Sequence, residues 1–167
     1  MVELFFDLVF VFAITQLSHT LLGNLTLLGA LQVAIMFMGV WWLWMYTTWA
    51  TNWLDPSTTP VRLLLFALML MGLVMSSALP HAFDKYGLVF AVAYVAQQLS
   101  RSIFLARCFG LRTGHGRNFL RILVWQVVSA ALWIWGALST PEQRIWFWLG
   151  ALAVEYAGPV SYFRVPG

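Results

Sequence analysis

The sequence predicts an all-α fold, a polytopic bundle of about six transmembrane helices in one domain over residues 1–167. Of its 167 residues, 62% are hydrophobic and only 9% are charged, whereas a soluble domain carries about 25% charged residues. The apolar residues also form six stretches long enough to cross the hydrocarbon core, which takes about 20 residues per helix. A water-soluble fold of this length could not cover so much apolar surface. The lipid bilayer is therefore an expected partner.

The six predicted helices cover residues 4–22, 28–51, 61–79, 87–106, 119–138 and 144–163. Asn24 lies in a very short first loop, so the first two helices are expected to form an antiparallel hairpin. Asp55 and Pro56 are expected to end the second helix, because proline cannot continue a helical hydrogen-bond ladder.

Proline and threonine residues also mark the later helix boundaries. Thr59 and Pro60 predict an N-cap and a first-turn proline for the third helix, and Pro80 is expected to end that helix. Thr140 and Gln143 have the spacing of a capping box that opens the sixth helix.

The basic residues predict the orientation of the chain. If the N-terminus is cytoplasmic, seven of the nine fall on that side: Arg62, Arg101, Arg107, Arg112, Arg117, Arg121 and Arg164. The opposite side keeps Lys85 and Arg144. Cytoplasmic loops of membrane proteins carry an excess of Lys and Arg, so both termini are predicted to be cytoplasmic. The pI of about 9.4 is attributed to this pattern, and nucleic acid is not an expected partner.

Tryptophans are concentrated in the cytoplasmic half of the second helix, at Trp41, Trp42, Trp44, Trp49 and Trp53. An aromatic belt at the membrane surface is favoured over a ligand-stacking role, because Trp is enriched at membrane–water interfaces.

No cofactor, metal site or enzymatic activity is predicted. Cys108 is the only cysteine, so neither a disulfide within the chain nor a cysteine-based zinc site can form. His19 lies near the non-cytoplasmic end of the first helix, while His81 and His115 fall in loops. A haem with two axial ligands is therefore not expected, and His19 is interpreted as an interfacial or hydrogen-bonded residue. Phosphate-loop, nucleophile-elbow and HExxH motifs are absent.

Ionisable residues inside apolar helices are the candidate functional residues, because a charge at the bilayer centre costs about 2.5–3.5 kcal/mol on insertion scales. At about 100° per residue, one side of the first helix carries Glu3, Asp7, Thr15 and Ser18, with His19 at its margin. This side is expected to face the protein.

The fourth helix carries a polar stripe of Tyr94, Gln97, Gln98 and Arg101 at i, i+3, i+4 and i+7 spacing, which should face the protein interior. Arg101 and Asp7 lie at similar depth from the cytoplasmic side and are predicted to form a buried ion pair. A staple that fixes helix packing is favoured over a gating or proton-linked pair.

Glu155 lies in the sixth helix, four residues before Pro159. Because proline has no N–H, the backbone carbonyl of Glu155 loses its helical partner. Interrupted helices with exposed carbonyls bind ions in many transporters, whereas a simple kink with Glu155 neutral or paired to Arg is an equal alternative. An unpaired carboxyl group at this depth would favour proton binding.

Four ordered motifs resemble the bacterial low temperature requirement A (LtrA) family: 2–11, 41–44 continuing through 51–56, 117–121 and 155–159. The similarity covers essentially the whole chain. It implies a polytopic protein of the cell (inner) membrane, in a family whose name reflects a growth phenotype in the cold. Family members are usually about twice this length, with a further helical signature in the second half. The chain therefore resembles an N-terminal half, whose partner would be the missing C-terminal half or a second copy.

Three functions follow as hypotheses. The first is a proton- or cation-linked transporter or channel component with Asp7, Arg101 and Glu155 along the path. The alternative is a structural or stress-adaptation membrane protein without transport activity. A membrane enzyme acting on lipid is disfavoured, because the sequence shows no catalytic constellation.

Overall fold

The protein is all-helical in a computed structural model that describes residues 2–52, 54–55, 57–110 and 114–163. The six helices are α1 (Val2–Gly23), α2 (Leu27–Thr51), α3 (Thr59–Ala78), α4 (Gly87–Phe109), α5 (Gly114–Leu138) and α6 (Pro141–Val160). A short 3₁₀ helix, Leu79–His81, follows α3 and contains the predicted stop Pro80. The predicted all-α fold is confirmed. Sequence predictions at six positions lie outside the described residues or side chains: Glu3, Trp53, Pro56, Arg112, His115 and Arg164.

Among the described residues, five helices are long and apolar enough to cross a membrane, namely α1 to α5. The sixth predicted span, at 144–163, corresponds to α6, which begins at Pro141 and has 20 residues. It is not one of these five. Arg144 and Glu155 both lie in α6 and lower its hydropathy, and both are buried. These two charged side chains therefore face protein, not the surface.

The link between α1 and α2 is short and capped. Thr26 is the N-cap residue of α2, and its hydroxyl accepts the backbone N–H of Gly29 at 3.0 Å. The carbonyl of Asn24 accepts the N–H of Thr26 at 2.8 Å. These bonds satisfy groups that the start of a helix leaves without partners, so the chain reverses within residues 24–26 and α1 packs against α2.

Two predicted caps differ from the structure. The N-cap of α3 is Thr58 rather than Thr59, and Pro60 lies in the first turn as predicted. Thr140 is the N-cap of α6, but its side chain makes no capping hydrogen bond, so the predicted capping box with Gln143 is wrong. Proline in the first turn of both helices already fixes the backbone and removes one amide that would need a partner.

The chain divides into two compact units, residues 1–97 and 98–167. In the first unit, α1 packs on α3 through one apolar face that includes Phe6, Val9 and Ala13. Gly72 on α3 permits close approach, because a Cβ atom there would lie 2.8 Å from Cγ1 of Val9. The predicted assignment to a single domain stays a prediction.

In the second unit, α5 packs along α6. Trp133 and Trp148 are completely buried, with ring centroids 5.1 Å apart. The indole N–H of Trp148 donates to the carbonyl of Trp133 at 3.0 Å. Gly136 lies beside them: a Cβ atom there would come within 2.7 Å of Cδ1 of Trp148. The two helices can thus approach closely only where α5 lacks a side chain.

Gly136→Ala is expected to lower stability, because overpacking a filled site costs about 1–3 kcal/mol. Gly150→Ala is the matched control on α6, since its Cβ would make an ordinary 3.8 Å contact with Leu132. Alanine also favours helix over glycine, so this control should unfold at the wild-type temperature or slightly above it. Thermal unfolding in detergent, followed by circular dichroism, measures the difference. Equal melting temperatures for the two variants would contradict the described α5–α6 packing.

Candidate functional site

A buried carboxylate on α6 forms the centre of the second unit. Glu155 is only 3% exposed. Its Oε1 atom accepts three side-chain hydrogen bonds, from Gln98 Nε2 at 2.7 Å, Ser129 Oγ at 2.8 Å and Trp133 Nε1 at 2.9 Å. We call these four residues the Glu155 cluster. It joins α6 to α5 and to the C-terminal part of α4.

Helical spacing brings the α5 donors together. Ser129 and Trp133 are four residues apart and therefore lie on one face. Gln126, one turn earlier on that face, is also buried. Its backbone carbonyl oxygen lies 3.3 Å from Ser129 Oγ. Ser129 and Trp133 are not predicted from the sequence as partners of Glu155. The i, i+3, i+7 spacing of Gln126, Ser129 and Trp133 was the available signal.

The three donors make the buried carboxylate tolerable. Burial disfavours a charged group unless hydrogen bonds replace those lost from water. Hydrogen bonds to an ionised acceptor are roughly twice as strong as those between neutral groups. A proton that binds Glu155 removes this charge and weakens all three bonds. The geometry thus couples the protonation of one residue to contacts among three helices.

Two amide oxygens near the cluster lack donors. The Oε1 atoms of Gln98 and Gln126 are buried and make no hydrogen bond within the part of the chain that the structure describes. A buried acceptor left this way costs about 1–3 kcal/mol. Both oxygens can accept a hydrogen bond from water or ligate a cation. Such groups in a well-packed protein commonly mark a functional site or a bound water or ion.

The predicted polar stripe of α4 is buried throughout: Tyr94, Gln97, Gln98 and Arg101 are each at most 2% exposed. Gln97 belongs to the first unit, where its Nε2 lies 3.6 Å from the Met75 sulfur. Gln98 belongs to the second unit and donates to Glu155. Arg101 lies one helical turn from Gln98 on the same face of α4. Sequence spacing thus identified the buried face.

Pro159 lies inside the last turn of α6, as predicted. Beyond the helix end, Tyr162 and Phe163 have φ angles of 53° and 51°, and the N–H of Phe163 donates to the carbonyl of Gly158 at 2.8 Å. Gly158 is required here, because a Cβ atom would lie 2.6 Å from the Phe163 ring. The ion-site and kink interpretations of the Glu155 carbonyl both stay open.

Arg144 is a buried residue with a role that was not predicted from the sequence. Its Nε donates to the backbone carbonyl of Gly136 at 3.2 Å. Its Nη2 donates to the backbone carbonyls of Ala137 at 3.1 Å and Ser139 at 3.4 Å. The guanidinium also lies over the Trp148 ring, 5.7 Å from its centroid. The last carbonyls of a helix lack partners and carry partial negative charge. Arg144 therefore caps the C-terminus of α5.

Asp7 lies in the first unit and is exposed. Its Oδ1 accepts the indole N–H of Trp44 at 2.9 Å, which joins α1 to α2. Within this unit, α1 packs through the face of Phe6 and Val9, and the expectation that the Asp7 side of α1 faces protein stays a prediction. The predicted ion pair between Asp7 and Arg101 stays a prediction, since the two residues belong to different units.

The α2 tryptophans differ in environment. Trp41 and Trp49 are exposed, as a membrane belt requires, whereas Trp42 is buried against Tyr46. Trp44 donates to Asp7. The belt prediction therefore fits only part of this cluster.

His19 is exposed and lines a cavity of about 530 Å³ that also contains Gln32 and Asp84. Among the described residues, no group of three or more His, Cys, Asp or Glu could hold a metal ion.

The comparisons with known proteins identify the family. The family model described as bacterial low temperature requirement A protein (LtrA) matches residues 1–167. The chain is also 48% identical over 167 residues to the uncharacterized protein RA0937 of Rhizobium meliloti (strain 1021), an alignment that covers 98% of this chain and 40% of that protein. The chain thus spans well under half the length of this curated relative. No solved structure matches it. The resemblance found in the sequence is confirmed, and the chain belongs to the bacterial low temperature requirement A family.

Proposed function

We propose that this membrane protein is a component of a proton- or cation-linked transporter or channel in which Glu155 binds the proton. The observation that carries the proposal is the buried carboxylate with three donors on one oxygen. Proton binding and release would weaken and restore bonds among α4, α5 and α6, which is the coupling that a transport cycle needs. The path predicted from the sequence also included Asp7 and Arg101. Glu155 is the residue with the strongest support.

The buried oxygens of Gln98 and Gln126 favour transport over a purely structural role. A cluster that serves only packing gains nothing from two buried acceptors without donors, because each costs stability. The same oxygens suit a water that relays a proton, or a cation beside Glu155. They give the proposed path its polar lining within the second unit.

A structural or stress-adaptation role without transport is the second candidate. The three bonds to Glu155 also fix the packing of three helices, and the family name links its members to growth in the cold. In that case, any change at Glu155 that preserves its hydrogen bonds would have no functional effect. We propose no enzymatic activity and no resident cofactor.

The chain is also proposed to lie in the cell (inner) membrane with both termini in the cytoplasm. The distribution of basic residues supports this orientation. An alkaline phosphatase fused after residue 167 should stay inactive, because the enzyme folds only outside the cytoplasm, and an active fusion would reverse the orientation. Within the membrane, the proposed partners are lipid and either a C-terminal half or a second copy.

Proteoliposomes test the proposed transport directly. The purified chain, and in parallel the longer Rhizobium relative, would be reconstituted with a pH-sensitive dye inside and challenged with a pH gradient in Na⁺ or K⁺. The proposal predicts proton movement above that of protein-free vesicles, from one or both proteins. Dye signals equal to those of empty vesicles for both proteins, under every gradient, would leave the structural role as the better account.

A further inference from the structure

A groove runs along the surface of the first unit between α1 and α2. Its volume is about 670 Å³, within the range of about 300–1,000 Å³ typical of ligand sites. Apolar side chains make up most of its wall, including Val11, Ile14 and Val40. Asp7 lies at one end and His19 at the other, about 18 Å apart along the helix axis at roughly 1.5 Å per residue. The groove is therefore long and apolar, with an acid near one end.

Aromatic rings surround the acidic end. Trp41 and Trp44 line the groove beside Asp7, with their ring centroids 5.4 Å apart and inclined at 43°. The Phe37 ring stacks 6.3 Å from that of Trp41. The bond from Trp44 to Oδ1 fixes the Asp7 carboxylate against these rings. Faces of Trp and Phe rings attract cations, and quaternary ammonium groups are recognised in this way.

The charge of the lining restricts the ligand. Asp7 supplies a negative charge, and no Lys or Arg of the described part of the chain lines the groove. A phospholipid headgroup would place its phosphate here without a basic partner, which disfavours it. An ammonium group on a single alkyl chain matches both the charge and the apolar wall of the groove. Its positive head pairs with the Asp7 carboxylate, and its alkyl chain covers the apolar side chains.

We propose that the α1–α2 groove is a binding site for a single-chain cationic amphiphile. The substituted ammonium lies between the Asp7 carboxylate and the rings of Trp41 and Trp44. The alkyl chain extends along the groove toward His19. This site shares no residue with the Glu155 cluster, and the proposal does not depend on the proposed transport.

Binding of radiolabelled dodecyltrimethylammonium to the protein in lipid nanodiscs tests the site. Asp7→Asn should weaken binding about tenfold, since it removes the charge that pairs with the ammonium. The asparagine oxygen can still accept the Trp44 N–H, so the helix hairpin should remain. Asp55→Asn is the matched control, because Asp55 is an exposed acid outside the groove. This variant should bind dodecyltrimethylammonium with the affinity of the wild type.

A tryptophan pair provides the second measurement. Trp41→Ala should weaken binding severalfold, whereas Trp49→Ala, at an exposed residue of the same helix outside the groove, should not. If circular dichroism shows that Asp7→Asn is unfolded, the comparison of Trp41→Ala with Trp49→Ala tests the site without it. Equal affinity in wild type and in whichever groove variant is folded would overturn the proposal. Equal or tighter binding of zwitterionic dodecylphosphocholine would also overturn it and assign the groove to phospholipids.

Discussion

Glu155→Gln is expected to abolish proton-linked flux while the protein still accumulates in the membrane. The glutamine oxygen remains an acceptor for the donors of Gln98, Ser129 and Trp133, so most of the packing of the second unit should survive. The amide cannot bind and release a proton near neutral pH. The variant therefore separates the chemistry of the carboxyl group from its role in packing.

Glu142→Gln is the matched control for this prediction. Glu142 lies in the first turn of the same helix but is exposed, so its replacement should leave flux unchanged. Glu155→Ala removes the acceptor as well, so Gln98, Ser129 and Trp133 each lose their hydrogen bond to α6. A buried donor that loses its acceptor costs about 1–3 kcal/mol. That variant should accumulate poorly. Wild-type flux in Glu155→Gln would end the assignment of Glu155 as the proton site.

Arg144→Ala should lower the free energy of unfolding by about 2–4 kcal/mol. The change removes charge-assisted bonds to the α5 carbonyls and a favourable charge at a helix C-terminus, which alone is worth up to about 2 kcal/mol. It also removes the contact with Trp148, whose ring packs on Trp133 of the Glu155 cluster. Loss of the cap should therefore also reduce flux.

Two further variants define the role of Arg144. Arg144→Lys should have an intermediate effect, because lysine keeps the charge but cannot reach several carbonyls with a planar fork. Arg121→Ala removes an exposed arginine from α5 and should leave the melting temperature unchanged. Similar melting temperatures for Arg144→Ala and Arg121→Ala would show that the cap has no energetic role.

The sequence was sufficient for the fold class, because long apolar stretches permit little besides membrane helices. It was less informative at the helix ends. Thr58, Thr59 and Thr140 are chemically equivalent cap candidates, and only backbone geometry selects among them. For α6, the sequence predicts a span that contains Arg144 and Glu155. This helix is not among the five that are long and apolar enough to cross a membrane within the described residues, and its span stays a prediction.

The candidate site was only partly predictable. A charge in an apolar run identified Glu155, and regular spacing identified the buried stripe that contains Gln98. On α5, the i, i+3, i+7 spacing of Gln126, Ser129 and Trp133 indicates a shared polar face. Only the packing of α5 on α6 shows that this face meets Glu155. Arg144 was interpreted only as a topology signal, because its bonds form back to the preceding helix. For Asp7, the sequence predicts a side of α1 that faces protein, and within the first unit the adjacent apolar face of α1 makes the packing contacts.

Infrared spectroscopy tests the central claim, that Glu155 binds and releases a proton, most directly. Difference spectra between acidic and alkaline pH would be recorded for wild type, Glu142→Gln and Glu155→Gln in lipid. We predict a protonated-carboxyl C=O band that appears on acidification in wild type and in Glu142→Gln and is missing from Glu155→Gln. A pH-dependent carboxyl spectrum that is unchanged in Glu155→Gln would contradict the account.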